Sequence, residues 1–154
     1  MTPAIRALDA AGVPFTVHEF EHRPGAREYG REAAAALGVE HDQVFKTLVV
    51  VADGSLAVAV VPVSCQLSLK AVAAALGAKR AELCDPAHAE RTTGYVVGGI
   101  SPFGQRRRLA TVVDDTSQLH DLMYVSGGRR GLEVGVTPGD LVRLLGATVA
   151  AISA

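Results

Sequence analysis

The sequence predicts one α+β domain over residues 1–154, a mixed and largely antiparallel β-sheet surrounded by helices. Three observations predict it. Short helical segments and β-rich runs mix without the strict alternation of a parallel α/β fold. Asp53-Gly54 stands between two apolar runs, a hairpin signal that demands at least one antiparallel pair, because both residues tolerate positive φ. No repeat, low-complexity segment or linker divides the 154 residues, a length that supports a sizeable single core.

Each element has its own signal. Thr2-Pro3 places a capping side chain before a proline at the first helical position, and Gly12 stands where that helix stops. A strand follows at Phe15–Phe20, then a short helix at Arg31–Gly38. Val44-Phe45-Lys46-Thr47-Leu48-Val49-Val50-Val51 is nearly continuous and β-branched, as a strand covered on both faces reads, so strands are expected at Phe45–Ala52 and Leu56–Pro62. Ser68 caps LKAVAAALG, which Gly77 ends. A strand at Ala81–Leu83 precedes a helix started by Asp85-Pro86. Further strands are expected at Tyr95–Val97, Thr111–Val113, Met123–Val125 and Leu132–Val136. Thr137-Pro138 starts the last helix, Gly146 ends it, and a strand at Thr148–Ile152 closes the chain.

Composition narrows the class. Apolar residues make up 49% and charged residues 20%, a globular balance. No apolar run approaches a membrane span, and MTPAIRALDAAG lacks the basic start and apolar core of a signal peptide. A cytoplasmic protein with reduced thiols is expected, with no membrane partner. The net charge of −1 means that a nucleic-acid partner needs a local basic patch.

Candidate chemistry is weighed residue by residue. His18-Glu19-Phe20-Glu21-His22 fits H-E-x-x-H, a zinc pattern that works only on a helix. Pro14 and Pro24 bracket it and Phe15-Thr16-Val17-His18 looks like a strand, where the two histidines fall roughly 13 Å apart, too far for one zinc. No metal site and no cofactor are expected. Cys65 and Cys84 have no metal or redox spacing and read as small buried hydrophobes. Two glycine-rich segments follow strand-like runs: Gly94 to Gly104, and Ser126-Gly127-Gly128-Arg129-Arg130-Gly131. Gly98-Gly99 lets backbone N–H groups approach a ligand, although on composition alone two tight turns are the favoured reading. Arg106, Arg107, Arg129 and Arg130 are either a solvated face or phosphate contacts. Lys46 is the oddity, since lysine is rarely buried unless it is paired.

The combination decides. "MTPAIRALDAAGVPFTVHEFEH", "DQVFKTLVV", "AVAVVPV", "ALGAKRAEL", "RTTGYVVGGISPFGQ" and "YVSGGRRGLEV" resemble the YbaK family of aminoacyl-tRNA deacylases over essentially the whole chain. The family is similar to the editing domain inserted in bacterial prolyl-tRNA synthetases. The resemblance implies a partly closed barrel and a free-standing, trans-editing enzyme. Its implied substrate is cysteine on proline tRNA, with cysteinyl-tRNA more broadly in reach. The acceptor end of that tRNA is the implied partner, and prolyl-tRNA synthetase a possible second one.

It also implies roles. Lys46 looks like the family's essential lysine, neutralising the 3′-terminal phosphate or orienting the ester. Gly98-Gly99-Ile100-Ser101-Pro102 looks like the pocket loop that holds the aminoacyl group and its carbonyl. Thr47 matches a pocket residue. Phe20 and Tyr29 fall at two aromatic pocket positions with their identities exchanged, and Glu133 stands where the family has Asp. The nucleophile is then the cysteinyl thiol of the substrate, which attacks its own ester and leaves as a thiolactone. The neighbouring branch that removes alanine with water, and a tRNA- or synthetase-binding module without catalysis, are the alternatives.

Overall fold

The structure, a computed structural model, describes residues 1–154 and contains five α-helices and eight strands. In chain order they are α1 (Pro3–Ala11), β1 (Thr16–Glu19), α2 (Tyr29–Leu37), β2 (Phe45–Ala52), β3 (Ser55–Pro62), α3 (Leu69–Ala75), β4 (Ala81–Leu83), α4 (Pro86–Thr93), β5 (Ala110–Asp114), β6 (Met123–Ser126), β7 (Leu132–Val136), α5 (Pro138–Leu145) and β8 (Thr148–Ala150). Single 3₁₀ turns lie at His41–Gln43 and Asp115–Leu119. No helix is long and apolar enough to cross a membrane.

The capping signals act as local chemistry requires. Thr2, Ser68, Asp85 and Thr137 each accept a hydrogen bond from the backbone N–H three residues on. Each cap is worth about 1 kcal/mol. Asp53 and Gly54 take φ of 48° and 83°, the two left-handed residues of a tight hairpin, and β2 pairs antiparallel with β3 along its full length.

The strands form two sheets. One has the order β1-β7-β6; the other runs β4-β2-β3-β5-β8. The second is mixed, with β2 antiparallel to β3 and β4, and β5 parallel to β3 and β8. A single bridge, Val44 to Tyr124, joins them. The expected partly closed barrel does not form. Both sheets keep free edges, because only that one bridge spans the seam.

Tyr95–Val97 is not a strand either. Gly94 in a left-handed conformation ends α4, and Tyr95 turns inward to donate its hydroxyl to the Phe103 carbonyl at 2.6 Å. Burial pushes the Tyr95 phenol up to about 12, so it stays a donor. An apolar run here anchors a loop rather than extending a sheet.

The strand period sorts the core. On β2 and β3, Phe45, Val49, Val58 and Val60 face the main core with Leu8, Met123, Val125, Val134 and Leu141. Their neighbours Ala59 and Val61 face a second cluster with Val72 of α3 and Ile152. Leu48 of β2 packs against that second cluster too, so β2 is covered on both faces, as its β-branched run implied. Asp114, fully buried at the end of β5, accepts from the Ile152 and Ser153 N–H groups and pins the C-terminal strand. Burial works to raise its carboxyl, but hydrogen bonds from Thr116, Ile152 and Ser153 outweigh it and hold the group below its usual range.

Candidate active site

A cavity of about 610 Å³ opens where the two sheets meet. β2 supplies Phe45 to Val49. The turn after β3 supplies Ser64, Cys65 and Gln66. The first turn of α2 and the residues before it supply Arg27, Tyr29 and Arg31. The loop after α4 supplies Val97, Gly98 and Ile100. The three-stranded sheet supplies Ser126 and Glu133.

Lys46 and Thr47 are successive strand residues and leave opposite faces of β2, yet the cavity takes in both. Lys46 makes no salt bridge: each of the four ion pairs in the structure lies elsewhere. Burial lowers its ammonium pKa, and the nearby positive charge of Arg31 lowers it further, while Cys65 works the other way. An unpaired cation in a cavity asks for an anionic ligand. Thr47 adds a second unmet demand, since its buried Oγ1 has no hydrogen-bond partner.

Glu133 is the third unmet group. It pairs across the sheet with Ser126 on one side and His18 on the other, and its side chain is only 7% exposed. Burial alone pushes its carboxyl up to about 8. The group is therefore a neutral acid at pH 7, able both to donate and to accept a hydrogen bond.

The glycine loop divides the work. Gly98 lines the cavity with φ at +89°, and neither its N–H nor that of Ile100 has an acceptor within the protein. The Gly99 N–H is spent on the Val96 carbonyl at 2.9 Å, and Gly99 packs against the backbone of Arg129, where a Cβ would fall 2.7 Å from its Cα. Ser101 is fully buried, and its hydroxyl accepts from the Phe103 N–H. Pro102 is buried beside it. Neither reaches the cavity. Gly98 and Ile100 thus present the ligand face of the loop, while Gly99, Ser101 and Pro102 fix its shape.

Tyr29 forms a cavity wall, with the Arg130 guanidinium 4.9 Å from its ring centroid and the His22 ring 5.6 Å away. Phe20 sits behind that wall, packed against the cluster of Ala33, Ala34, Val44 and Val63, and does not line the cavity. None of the four arginines expected to meet tRNA lines it. Arg129 pairs with Glu19 at 3.3 Å, and Arg130 donates to the Val97 carbonyl at 2.9 Å. Arg106 and Arg107 lie exposed on the far part of the loop.

His18 stands on a strand and contacts Thr16, whereas the His22 Nδ1 lies 2.7 Å from Glu32. The two histidines have separate partners. Four lining residues went unread in the sequence. Arg27 precedes α2 and Arg31 lies in its first turn, so no helix-face spacing joins them in the sequence. Cys65 and Cys84 both line the cavity, Cys84 while also packing against the main core, and no local pattern marks that.

Residues 23–144 match the family model of the aminoacyl-tRNA editing domain. A protein of Enterococcus faecalis, provisionally named Cys-tRNA(Pro)/Cys-tRNA(Cys) deacylase EbsC, is 33% identical over 99% of this chain and 93% of its own. A proline–tRNA ligase of Nitratidesulfovibrio vulgaris is 35% identical over 107 residues, which are 70% of this chain and 18% of the ligase. A solved structure described as a candidate trans-editing enzyme for prolyl tRNA synthetase superposes with a TM-score of 0.86 at 26% identity, covering 100% of this chain and 99% of the other. A second, of a hypothetical protein, gives 0.89 at 27% identity, covering 99% of each.

Proposed function

The chain belongs to the aminoacyl-tRNA editing domain family, and from that membership we propose that it is a trans-editing deacylase that clears cysteine from proline tRNA, with cysteinyl-tRNA(Cys) also within reach. The observation that carries this reading is Lys46. Its unpaired ammonium shares one cavity with the free N–H groups of Gly98 and Ile100, the partnerless Thr47 hydroxyl and the neutral Glu133 carboxyl. Such a site binds an ester flanked by a phosphate and a small polar amino acid.

The chemistry needs little from the protein. The cysteinyl sulfur, as thiolate, attacks its own ester carbonyl carbon and forms a C–S bond. The C–O bond to the ribose breaks, and the ribose oxygen takes up a proton equivalent to the one the thiol gave up. The products are tRNA and a thiolactone, which water then opens. Holding sulfur and carbonyl together supplies roughly 7–11 kcal/mol when geometry is good. Gly98 and Ile100 direct N–H groups at the carbonyl oxygen, where negative charge develops. Lys46 offsets the charge of the 3′-terminal phosphate and the developing oxyanion. Thr47 and Glu133 hold the amino-acid part.

The test is parallel hydrolysis of proline tRNA charged with Cys, Ala, Ser or Pro. The expected result is fast release of Cys alone. Preferred release of Ala would transfer the chain to a water-using branch, and no turnover on any of the four would leave a binding module.

A further inference from the structure

A second cavity of about 480 Å³ adjoins the first and shares Arg27, Glu28 and Arg31 with it. Its remaining wall includes Arg23 and Glu32. Arg23, Arg27 and Arg31 are all exposed. They form a cationic path leading from the surface to Lys46.

We propose that the single-stranded 3′ end of the RNA substrate enters along this path, its last phosphates riding on Arg31, Arg27 and Arg23. The proposal rests on the deacylase reading above and moves the nucleic-acid contact away from Arg106, Arg107, Arg129 and Arg130.

Charge accounting supports the path. Glu32 is committed to His22 at 2.7 Å and to the Arg23 N–H at 2.9 Å. Glu28 lies 4.0 Å from the Arg31 Nε with its side chain 81% exposed, a loose pair that solvent screens. Arg31 otherwise reaches only His41 Nδ1, at 3.1 Å. Arg27 has no hydrogen-bond or ion-pair partner. Arg31 also stands close enough to Lys46 for the two charges to repel. Lys46 and Arg31 are two cations lining one cavity, and the only carboxylate paired with either is the loose, exposed Glu28, so a phosphate relieves their repulsion, and the shared wall of the two cavities gives the next phosphate a place. The rival arginines are spent differently. Arg129 is paired with Glu19, Arg130 is laid over Tyr29, and neither Arg106 nor Arg107 lines either cavity.

The measurement is binding of an uncharged RNA hairpin with a 3′-ACCA end to the full chain at several salt concentrations. Wild type is compared with Arg27→Gln, Arg31→Gln, their double variant, and the rival double variant Arg106→Gln/Arg107→Gln. Each lost phosphate contact on a single strand lowers the slope of log affinity against log salt by about 0.7. The expected slope losses are one contact for each single change and two for Arg27→Gln/Arg31→Gln, whose affinity falls tenfold or more at low salt. The rival pair keeps the wild-type slope. On charged tRNA, Arg27→Gln/Arg31→Gln raises KM while kcat holds. An unchanged slope and KM in that double variant, or a loss confined to Arg106→Gln/Arg107→Gln, overturns the path. If the hairpin binds too weakly to titrate, the KM result decides alone. Failure of the deacylase reading shows separately, as absence of turnover by wild type on every charged tRNA.

Discussion

Tyr29 packs its ring against the bare backbone of Gly98, so closely that a Cβ on the glycine would fall 2.8 Å from ring carbons Cδ1 and Cε1. The ring has little room to retreat, since Arg130 covers it at 4.9 Å and His22 stacks beside it. Gly98 also holds φ at +89°. A side chain in left-handed backbone costs about 1–2 kcal/mol before any clash.

Gly98→Ala should therefore lower Tm by several degrees and reduce kcat/KM, because it tilts the loop that presents the Gly98 and Ile100 N–H groups. Tyr29→Ala in the same chain opens the space. Thermal melts of both single variants and the double should show favourable coupling, the double being more stable than the sum of the losses predicts. Additive losses would mean that the ring does not press on the glycine.

Lys46 separates activity from stability. Burial and Arg31 depress its pKa, so the folded protein holds this ammonium less readily than the unfolded chain does. Stability from this group therefore rises with pH on the approach to the unfolded value and is reduced below it. Lys46→Met keeps the length and removes the charge. It should melt at or above the wild-type temperature while losing at least a hundredfold in kcat/KM, the scale on which one electrostatic group acts. A folded Lys46→Met protein with near-wild-type turnover removes the lysine from the mechanism.

How much of this was readable in the sequence follows from where the information lies. The β2–β3 hairpin was legible because Asp53-Gly54 and two β-branched runs are local signals, and strand limits at Phe45–Ala52, Ala81–Leu83 and Leu132–Val136 came out as expected. Tyr95–Val97 failed because an apolar triplet serves an anchored loop as well as it serves a strand. The seam between the sheets failed for a different reason. One bridge from Val44 to Tyr124 decides it, and those residues are 80 apart. At the site, Lys46 announced itself as a charge in an apolar strand. Glu133 did not, because it is buried at a cavity whose other walls come from residues far away in the sequence. Ser101 and Gly99 were plausible ligand contacts until their hydrogen bonds turned out to be spent on Phe103 and Val96.

Glu133 gives a pH prediction with a definite sign. Its carboxyl titrates near 8 in the folded state against an ordinary 4.5. Between those values the folded protein keeps a proton that the unfolded chain has released, so stability falls as pH rises, by about 1.4 kcal/mol per pH unit, and levels off above 8. By pH 7 the loss is on the order of 3 kcal/mol. Glu133→Gln keeps a neutral side chain and abolishes the proton release. Urea melts at pH 5, 6, 7 and 8 should show a shallower decline and a more stable protein at pH 7. Deacylation by Glu133→Gln should persist above pH 8, where the wild type loses it as the carboxylate forms. Parallel stability profiles for the two proteins would place the Glu133 carboxyl in water rather than under the sheet.

Three sulfurs compete for the role of nucleophile: the substrate's own, Cys65 and Cys84. Cys65 and Cys84 both line the cavity, and Cys65 is close enough to Lys46 to influence its charge. An enzyme thiol is thus a real competitor for the role of nucleophile. Cys84 is the weaker one. Burial raises its pKa, the Asp85 carboxylate raises it again, and its Sγ donates to the Asp85 carbonyl at 3.4 Å. A thiol so placed stays protonated. The one hydrogen-bond contact of Cys65 is with Ser64, at 3.6 Å, and no histidine is paired with it to take its proton. The substrate sulfur starts attached three bonds from the ester carbonyl carbon, and that proximity outweighs what either protein thiol offers. The double variant Cys65→Ser/Cys84→Ser should therefore keep single-turnover release of cysteine within a few-fold of wild type. Proline tRNA carrying S-methylcysteine should bind and resist hydrolysis, because its sulfur cannot form a thiolate, and the seryl analogue should react slowly. Rapid hydrolysis of the S-methyl substrate would require an activated water in place of the thiolate. Loss of activity in a folded double variant would instead assign the nucleophile to the protein, with Cys65 the residue to test first by restoring it alone.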